Sequence, residues 1–81
     1  MMYLKLYKWG VFMAVNYNKL WKLLIDKGMN KTDLRVKTGM STSTLAKLSK
    51  NEKVSMDIIL SICETLECNV GDVVDITMIE K

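Results

Sequence analysis

The chain has no proline and no histidine, and only two cysteines, one phenylalanine and four glycines among its 81 residues. Without histidine it lacks the commonest general base and the usual nucleophilic triads. The glycines are scattered, so there is no glycine-rich phosphate loop. Two cysteines alone cannot complete a four-ligand zinc site. These absences argue against an enzyme and against a metal or other cofactor.

The two cysteines, Cys63 and Cys68, lie five residues apart. On one helix they would point to different sides, which suits neither a disulfide nor a shared metal ion. We therefore expect reduced thiols that are partly buried.

Long apolar runs are also missing, since none approaches the roughly 18 residues that a membrane span needs. The first 13 residues are interrupted by Lys5, Lys8 and Gly10, and no small-residue cleavage site follows, so a signal peptide is not expected. A hydrophobic content of 49% with 26% charged residues is ordinary for a globular chain. We expect one small cytoplasmic domain with no membrane partner and no evident small-molecule ligand.

Acidic residues are absent from one long stretch, Leu34 to Asn51. The net charge is only +3, but residues 27–53 carry +5 and residues 54–81 carry −5. A basic segment from which acids are kept away indicates a surface that meets a polyanion.

The apolar spacing and the capping residues predict four or five short helices. The first covers Asn18 to Lys27, with Asn16 or Asn18 as its cap and Gly28 at its end. Tyr17 and Trp21 are expected in the core. The next three helices are expected to begin at Asn30, Ser41 and Ser55. A fifth short helix is expected around residues 71–74, and the β-branched residues of 73–79 favour a final strand.

The second and third of these helices are joined by Thr38-Gly39-Met40. A short helix, a glycine turn and another helix starting at Ser41 form the plan of a helix-turn-helix. The inner faces of these helices carry Leu34, Leu45 and Leu48. The outer face of the later helix is left with hydroxyls and lysines: Thr42, Ser43, Thr44, Lys47 and Lys50.

A family resemblance lies in the segment MNKTDLRVKTGMSTSTLAKLSKNEKVSMDIILSICETLECNVGDVVDI. It resembles the Cro/CI-type (Xre) helix-turn-helix family, close to its small stand-alone bacterial and phage regulators, over about Tyr17 to Ile76. The resemblance implies an all-α, compact four- to five-helix lambda-repressor-like DNA-binding domain, and short strands at the two ends are compatible with it. It also implies a transcriptional regulator of double-stranded operator DNA, commonly a homodimer on an inverted repeat.

The base-reading positions of that family fall on Thr42, Ser43 and Lys47, with Thr44 beside them. Chemistry agrees with this placement. Small hydroxyl residues let the start of a helix sit deep in the major groove, and threonine methyls can contact thymine methyls. Lys47 can reach the oxygen and nitrogen acceptors of guanine.

The phosphate-contacting positions form a second set. The resemblance places them at Lys31, where the family usually has glutamine, and at Lys50 and Asn51. Arg35 stands where the family prefers alanine, so its stem should extend along the surface, where it adds a phosphate contact. Ser41 and the free amides of the first turn after it form a natural phosphate site.

The ends of the chain leave two interpretations open. We divide the chain into an N-terminal arm or start-site extension (1–15), the helix-turn-helix domain (16–76) and a C-terminal tail (77–81). In one interpretation residues 1–12 precede a start at Met13. In the other, Tyr3–Phe12 forms a strand that pairs with Val73–Ile79 or with a partner chain.

Two other functions are also compatible with a small helical domain that has a basic face. One is a protein-interaction or antitoxin-like adaptor module on the same fold, whose basic face meets an acidic partner. The other is RNA binding, against which the single phenylalanine and the lack of exposed aromatic pairs argue.

Overall fold

A computed structural model describes the backbone of residues 11–80 and the side chains of residues 13–78. In chain order its elements are β1 (Val11–Asn16), α1 (Asn18–Asp26), α2 (Lys31–Thr38), α3 (Thr42–Ser49), α4 (Met56–Leu66), a 3-10 turn (Val70–Asp72) and β2 (Asp75–Glu80). The expected helical domain with a strand near each end is confirmed. All but the last two residues of the start-site extension expected over 1–12, and of the strand expected over 3–12, lie outside the described residues.

Three of the predicted helix starts are confirmed, because each is set by a local hydrogen bond. Asn30 and Asp33 form a reciprocal capping box, with bonds of 2.8 and 3.0 Å between each side chain and the other residue's amide. Ser41 and Ser55 cap α3 and α4 through their hydroxyls. Gly28, at φ 71°, follows α1 as predicted, in the left-handed region that glycine enters without strain.

The start of α1 differs from the prediction. Its N-cap position is Tyr17, whose side chain makes no capping bond. Asn16 is the last residue of β1, and its side-chain nitrogen Nδ2 donates to Thr77 Oγ1 at 2.8 Å. Its Oδ1 still accepts the Asn18 amide at 3.2 Å. Asn16 therefore joins the helix start to the sheet rather than occupying the cap itself.

The end of the chain also differs in detail. The short fifth helix is a 3-10 turn that begins at Val70, one residue earlier than expected, after Asn69, whose amide donates to Asp72 Oδ2 at 3.1 Å. The final strand begins at Asp75, two residues later than expected.

The two strands pair antiparallel, with Val15 opposite Ile76 and Met13 opposite Met78. Side chains of directly opposite residues share one face of a sheet. Met13, Ile76 and Met78 are each more than half exposed, at 59%, 55% and 59%. One face of the small sheet is therefore apolar and largely uncovered.

The core lies between the four helices and receives side chains from each of them. Leu34 of α2 and Leu48 of α3 have no exposed surface, as expected. Full burial of such a side chain contributes about 1.5–3 kcal/mol. The other core residues are Leu20 and Leu24 of α1, Ile59, Ile62 and Leu66 of α4, and Tyr17, Met40 and Val73, which lie between the elements.

Tyr17 links the start of α1 to the loop after α3. Its phenol is buried, with 2% of the residue exposed, and the hydroxyl donates to the Glu52 carbonyl oxygen at 2.7 Å. Its backbone amide donates to Asn51 Oδ1 at 3.3 Å. Burial raises the pKa of the Tyr17 phenol above its ordinary value of 10.0.

Replacing this hydroxyl is expected to destabilise the fold near neutral pH. Tyr17→Phe removes the hydrogen bond to the Glu52 carbonyl, which costs about 0.5–1.5 kcal/mol. The wild-type phenol stays protonated in the folded chain above pH 10.0, where the unfolded chain ionises, so its contribution is full below that pH and is lost as the pH rises through the raised pKa. Urea unfolding of both proteins should therefore give stability curves that converge at alkaline pH. Parallel curves over this range would contradict the assignment.

Candidate nucleic-acid interface

The start of α3 is built from a cluster of hydroxyls. Ser41 Oγ accepts the Thr44 amide at 3.1 Å, and the Ser43 and Thr44 hydroxyl oxygens each lie 3.0 Å from it. A serine cap of this kind contributes about 1 kcal/mol without adding charge. Thr42 stays outside the cluster, since its exposed side chain makes no hydrogen bond within residues 11–80. Its hydroxyl and methyl face solvent.

The exposed face of α3 carries most of the residues predicted to read bases. Ser43 and Lys47 are four residues apart, so they lie on the same side of the helix, and both are exposed. Thr42 is exposed next to Ser43 at the start of the helix. Thr44 differs, because it is half-buried and its hydroxyl belongs to the cap. The structure thus brings together Thr42, Ser43 and Lys47 on one accessible surface.

The turn between α2 and α3 is fixed by internal hydrogen bonds. Gly39 adopts φ 78°, and its amide donates to the Arg35 carbonyl at 2.9 Å. The Thr38 hydroxyl donates to the Leu34 carbonyl at 2.8 Å and accepts the Met40 amide at 3.4 Å. Met40 is buried, at 5% exposure. The orientation of α3 relative to α2 is therefore set by both the backbone of the turn and the core.

Lys31, the first residue of α2, is held by two other helices. Its Nζ atom lies 4.2 Å from the ring centroid of Trp21 in α1, a cation–π contact. The same atom donates to Ser49 Oγ at the end of α3, at 3.1 Å. Trp21, expected in the core, is only half-buried and serves as the platform for this lysine. An ammonium group has three donors, so two remain for a ligand.

The end of α3 is closed by Asn51, which has φ 59°. The Asn51 amide donates to the Leu48 carbonyl at 3.2 Å, and the Glu52 amide donates to the Lys47 carbonyl at 2.9 Å. This pair of bonds is a Schellman motif, in which asparagine is the usual substitute for glycine. Sequence reasoning missed this structural role, although an asparagine directly after a helix is its recognisable signal.

Asn51 can serve the helix end and still contact a ligand. Its Oδ1 atom accepts the Tyr17 amide, while the residue as a whole is exposed. The side-chain NH₂ group supplies two donors that this bond does not use. Lys50, directly before it, is exposed at the C-cap of α3.

The predicted phosphate-contacting residues lie at both ends of α3. Ser41 is at its start, while Lys50 and Asn51 are at its end, where the contact with Ser49 also places Lys31. Arg35 is half-buried in the middle of α2, in agreement with a stem that extends along the surface. The structure does not bring Lys31 next to Ser41.

Two other kinds of feature are absent from the described part of the chain. Residues 11–80 hold no group of three or more histidine, cysteine or acidic side chains that could bind a metal ion. No helix among them is long and apolar enough to cross a membrane.

The chain is similar to known proteins over most of its length. A family model for the Cro/C1-type HTH DNA-binding domain matches residues 19–77, a range that contains every candidate contact residue. The chain is also similar to a solved structure, the crystal structure of the transcriptional regulator VanUg, Form II. The two share 55% identity and a TM-score of 0.79, over 80% of this chain and 87% of that one. No curated protein matches the chain at a significant level.

The family match covers most of the chain and includes nearly all of α1 and the whole of α2, α3 and α4. Its members bind DNA, which is not an enzymatic function. The chain belongs to the Cro/C1-type helix-turn-helix family of DNA-binding domains.

Proposed function

We propose that this chain is a transcriptional regulator that reads double-stranded DNA with α3 in the major groove, as a homodimer on an inverted repeat. The observation that carries the proposal is the exposed, acid-free face of α3, with Thr42, Ser43 and Lys47 on it. In helix-turn-helix proteins the first residues of this helix contact base edges. The similarity to VanUg, which is described as a transcriptional regulator, supports the regulatory role.

The proposed base contacts follow from which groups are free. Thr42 offers an unbonded hydroxyl and a methyl group, and Lys47 offers an ammonium group one turn further along. The Ser43 hydroxyl interacts with Ser41, but a hydroxyl has one donor and two acceptor sites, so it can also bond a base. Thr44 stays beside these residues and contributes mainly through the cap.

The proposed phosphate contacts hold α3 in the groove from both ends. At its start, Ser41 and the free amides of the first turn face one phosphate. At its other end, the DNA phosphates are bound by Lys31, Lys50 and Asn51. Arg35 adds a phosphate contact from α2. Such contacts set position and orientation, while base contacts set sequence.

Substitutions in the two sets should have different consequences. Lys47→Ala is expected to relax the preference at one base pair by about 1–3 kcal/mol, because a direct base contact is lost. Lys31→Ala is expected to weaken binding to all sequences and to reduce the salt slope by about 1, because a phosphate contact is lost. The measurement is selection from random duplexes, followed by titrations over a range of salt concentrations. Lys22→Ala, which removes an exposed lysine of α1, is the control.

An unchanged base preference in Lys47→Ala would contradict the base-reading role of this residue. A Lys31→Ala protein that behaves as Lys22→Ala does would contradict the phosphate contact. Enrichment of no duplex at all would favour the protein-interaction module instead.

The neutral cap of α3 allows a test that separates folding from DNA binding. Aspartate caps a helix as well as serine does, so Ser41→Asp should leave the free energy of unfolding within about 0.5 kcal/mol. The added carboxylate would face a DNA phosphate, so affinity should fall at least tenfold. Urea unfolding and fluorescence anisotropy with labelled duplex give the two quantities.

Ser55→Asp is the matched control, because it adds the same charge at the cap of α4, which carries none of the proposed contacts. Equal losses of affinity in the two variants would show that only net charge matters. That result would overturn the contact at Ser41.

The proposed dimer is supported by an apolar surface next to the DNA-binding elements. A groove of about 440 Å³ runs between the sheet and the start of α4, with Val15, Val54 and Ile59 in its lining. Ile76 and Met56 line it as well and are 55% and 63% exposed. The exposed side chains of Ile76 and Met56 form a ridge beside this groove. In a dimer with a two-fold axis, the ridge of each chain can pack into the groove of the other chain. A two-fold dimer places two copies of α3 about 34 Å apart, one helical turn of DNA.

A charge on this surface should separate the two chains. Ile76→Asp is expected to give a folded monomer in analytical ultracentrifugation, at concentrations where the wild-type protein is a dimer. Thr77→Asp is the control, because the neighbouring residue of a strand faces the opposite side. A dimer that tolerates Ile76→Asp, or a wild-type protein that stays monomeric even on an inverted repeat, would contradict the proposal.

A further inference from the structure

The end of α4 brings the two cysteines together, contrary to the expectation that they point to different sides. The helix ends at Leu66, and Glu67 turns the chain with φ 54°. The Cys68 amide then donates to the Cys63 carbonyl at 3.0 Å. The expectation was wrong because it assumed that the helix continues through residue 68. A left-handed residue after the last turn folds Cys68 back over Cys63.

The two side chains meet at the surface. Both are free thiols that are partly exposed, and both line an open depression of about 640 Å³ together with Leu23, Lys27 and Asp72. Burial raises the pKa of the Cys68 thiol, and the adjacent Cys63 thiol raises it further. The backbone bond and the shared depression place the two cysteines side by side, and the depression gives a small reagent access to them.

We propose that Cys63 and Cys68 are a thiol modification site that closes into a reversible disulfide by exchange with a low-molecular-weight disulfide. The hydrogen bond between their backbones joins the first and last residues of a six-residue turn, so their α-carbons lie close together. Disulfides require α-carbons about 4.4–6.8 Å apart. A helix end of this kind holds the pair near that range before any bond forms.

The exchange takes place in two balanced steps. The Cys63 thiolate, after loss of its proton, attacks one sulfur of the small disulfide, and the other sulfur leaves as a thiolate. The Cys68 thiolate then attacks the Cys63 sulfur of the mixed disulfide and expels the second small thiolate. In total two protein thiols lose two protons and two electrons, and one small disulfide is reduced to two thiols. The second step is intramolecular, so Cys68 can complete it although burial raises the pKa of its thiol.

The disulfide would stabilise the helix end rather than alter a DNA contact. It closes the loop that contains Glu67, the residue in the left-handed conformation. The proposed base and phosphate contacts lie on α2, α3 and the adjoining loop, not at the end of α4. The inference is therefore independent of the proposed DNA contacts.

The test compares disulfide formation in the folded and the unfolded chain. The full chain is equilibrated in mixtures of reduced and oxidised glutathione, with and without concentrated urea, and is then alkylated and analysed by mass spectrometry. The equilibrium constant for the Cys63–Cys68 disulfide should be at least tenfold larger in the folded chain, because the fold holds the thiols together. By linkage the same tenfold factor, about 1.4 kcal/mol, stabilises the oxidised fold. Its Tm should rise by roughly 6–11 °C.

Cys63→Ser and Cys68→Ser are the controls, and each should accumulate only a mixed disulfide with glutathione. Equal equilibrium constants with and without urea would overturn the proposal, because the fold would then contribute nothing. A folded wild-type chain that yields only mixed disulfides, or only cross-linked dimers, would also overturn it. A Tm that is unchanged or lower in the oxidised protein would contradict the proposed geometry.

Discussion

The angle between α2 and α3 is the constraint on which the rest of the structure depends. Leu34 and Leu48 are fully buried on the facing sides of these helices, and Met40 adds the turn itself to the core. Gly39 supplies the left-handed backbone that the reversal needs. Any change in this angle would move the exposed face of α3 relative to Lys31 and Arg35. The surface described above is therefore a property of the core as much as of the exposed residues.

The start of α3 shows how stability and recognition place different demands on one position. For the isolated fold, an acid in the first turn would be favourable, because the amides there carry partial positive charge. α2 and α4 follow this rule with Asp33 and Asp57. α3 has no acid in its first turn and relies on the neutral Ser41 cap instead. Its partial positive charge is thus left unneutralised, which suits the proposed approach of α3 to DNA phosphates.

The sequence was sufficient to predict features that depend on residues close together along the chain. The caps at Asn30, Ser41 and Ser55 each require one side chain and an amide three residues later, so the sequence alone contains the signal. The contacts of Tyr17 with Asn51 and Glu52 span more than thirty residues and could not be predicted in this way. The placement of Lys31 over Trp21 likewise depends on how α1 crosses α2.

Two of the errors have a common physical origin, which is the behaviour of the chain where a helix ends. The expectation for the two cysteines failed at Glu67, and the role of Asn51 was missed at the same kind of position. Left-handed residues other than glycine are uncommon, so helical periodicity gives no warning of them. One such residue reverses the direction in which the following side chains point. It thereby decides which residues become neighbours in space.

The contacts of Lys31 also explain how an exposed lysine can contribute to a defined interface. A free lysine side chain has up to about 2 kcal/mol of rotamer entropy to lose on binding. Here the Trp21 ring and the Ser49 hydroxyl already restrict the ammonium group, so part of this entropy is lost during folding. This loss of side-chain entropy is offset during folding by the core packing that fixes α1, α2 and α3 relative to one another. In the proposed complex, the phosphate meets a charge whose position is set before the DNA arrives.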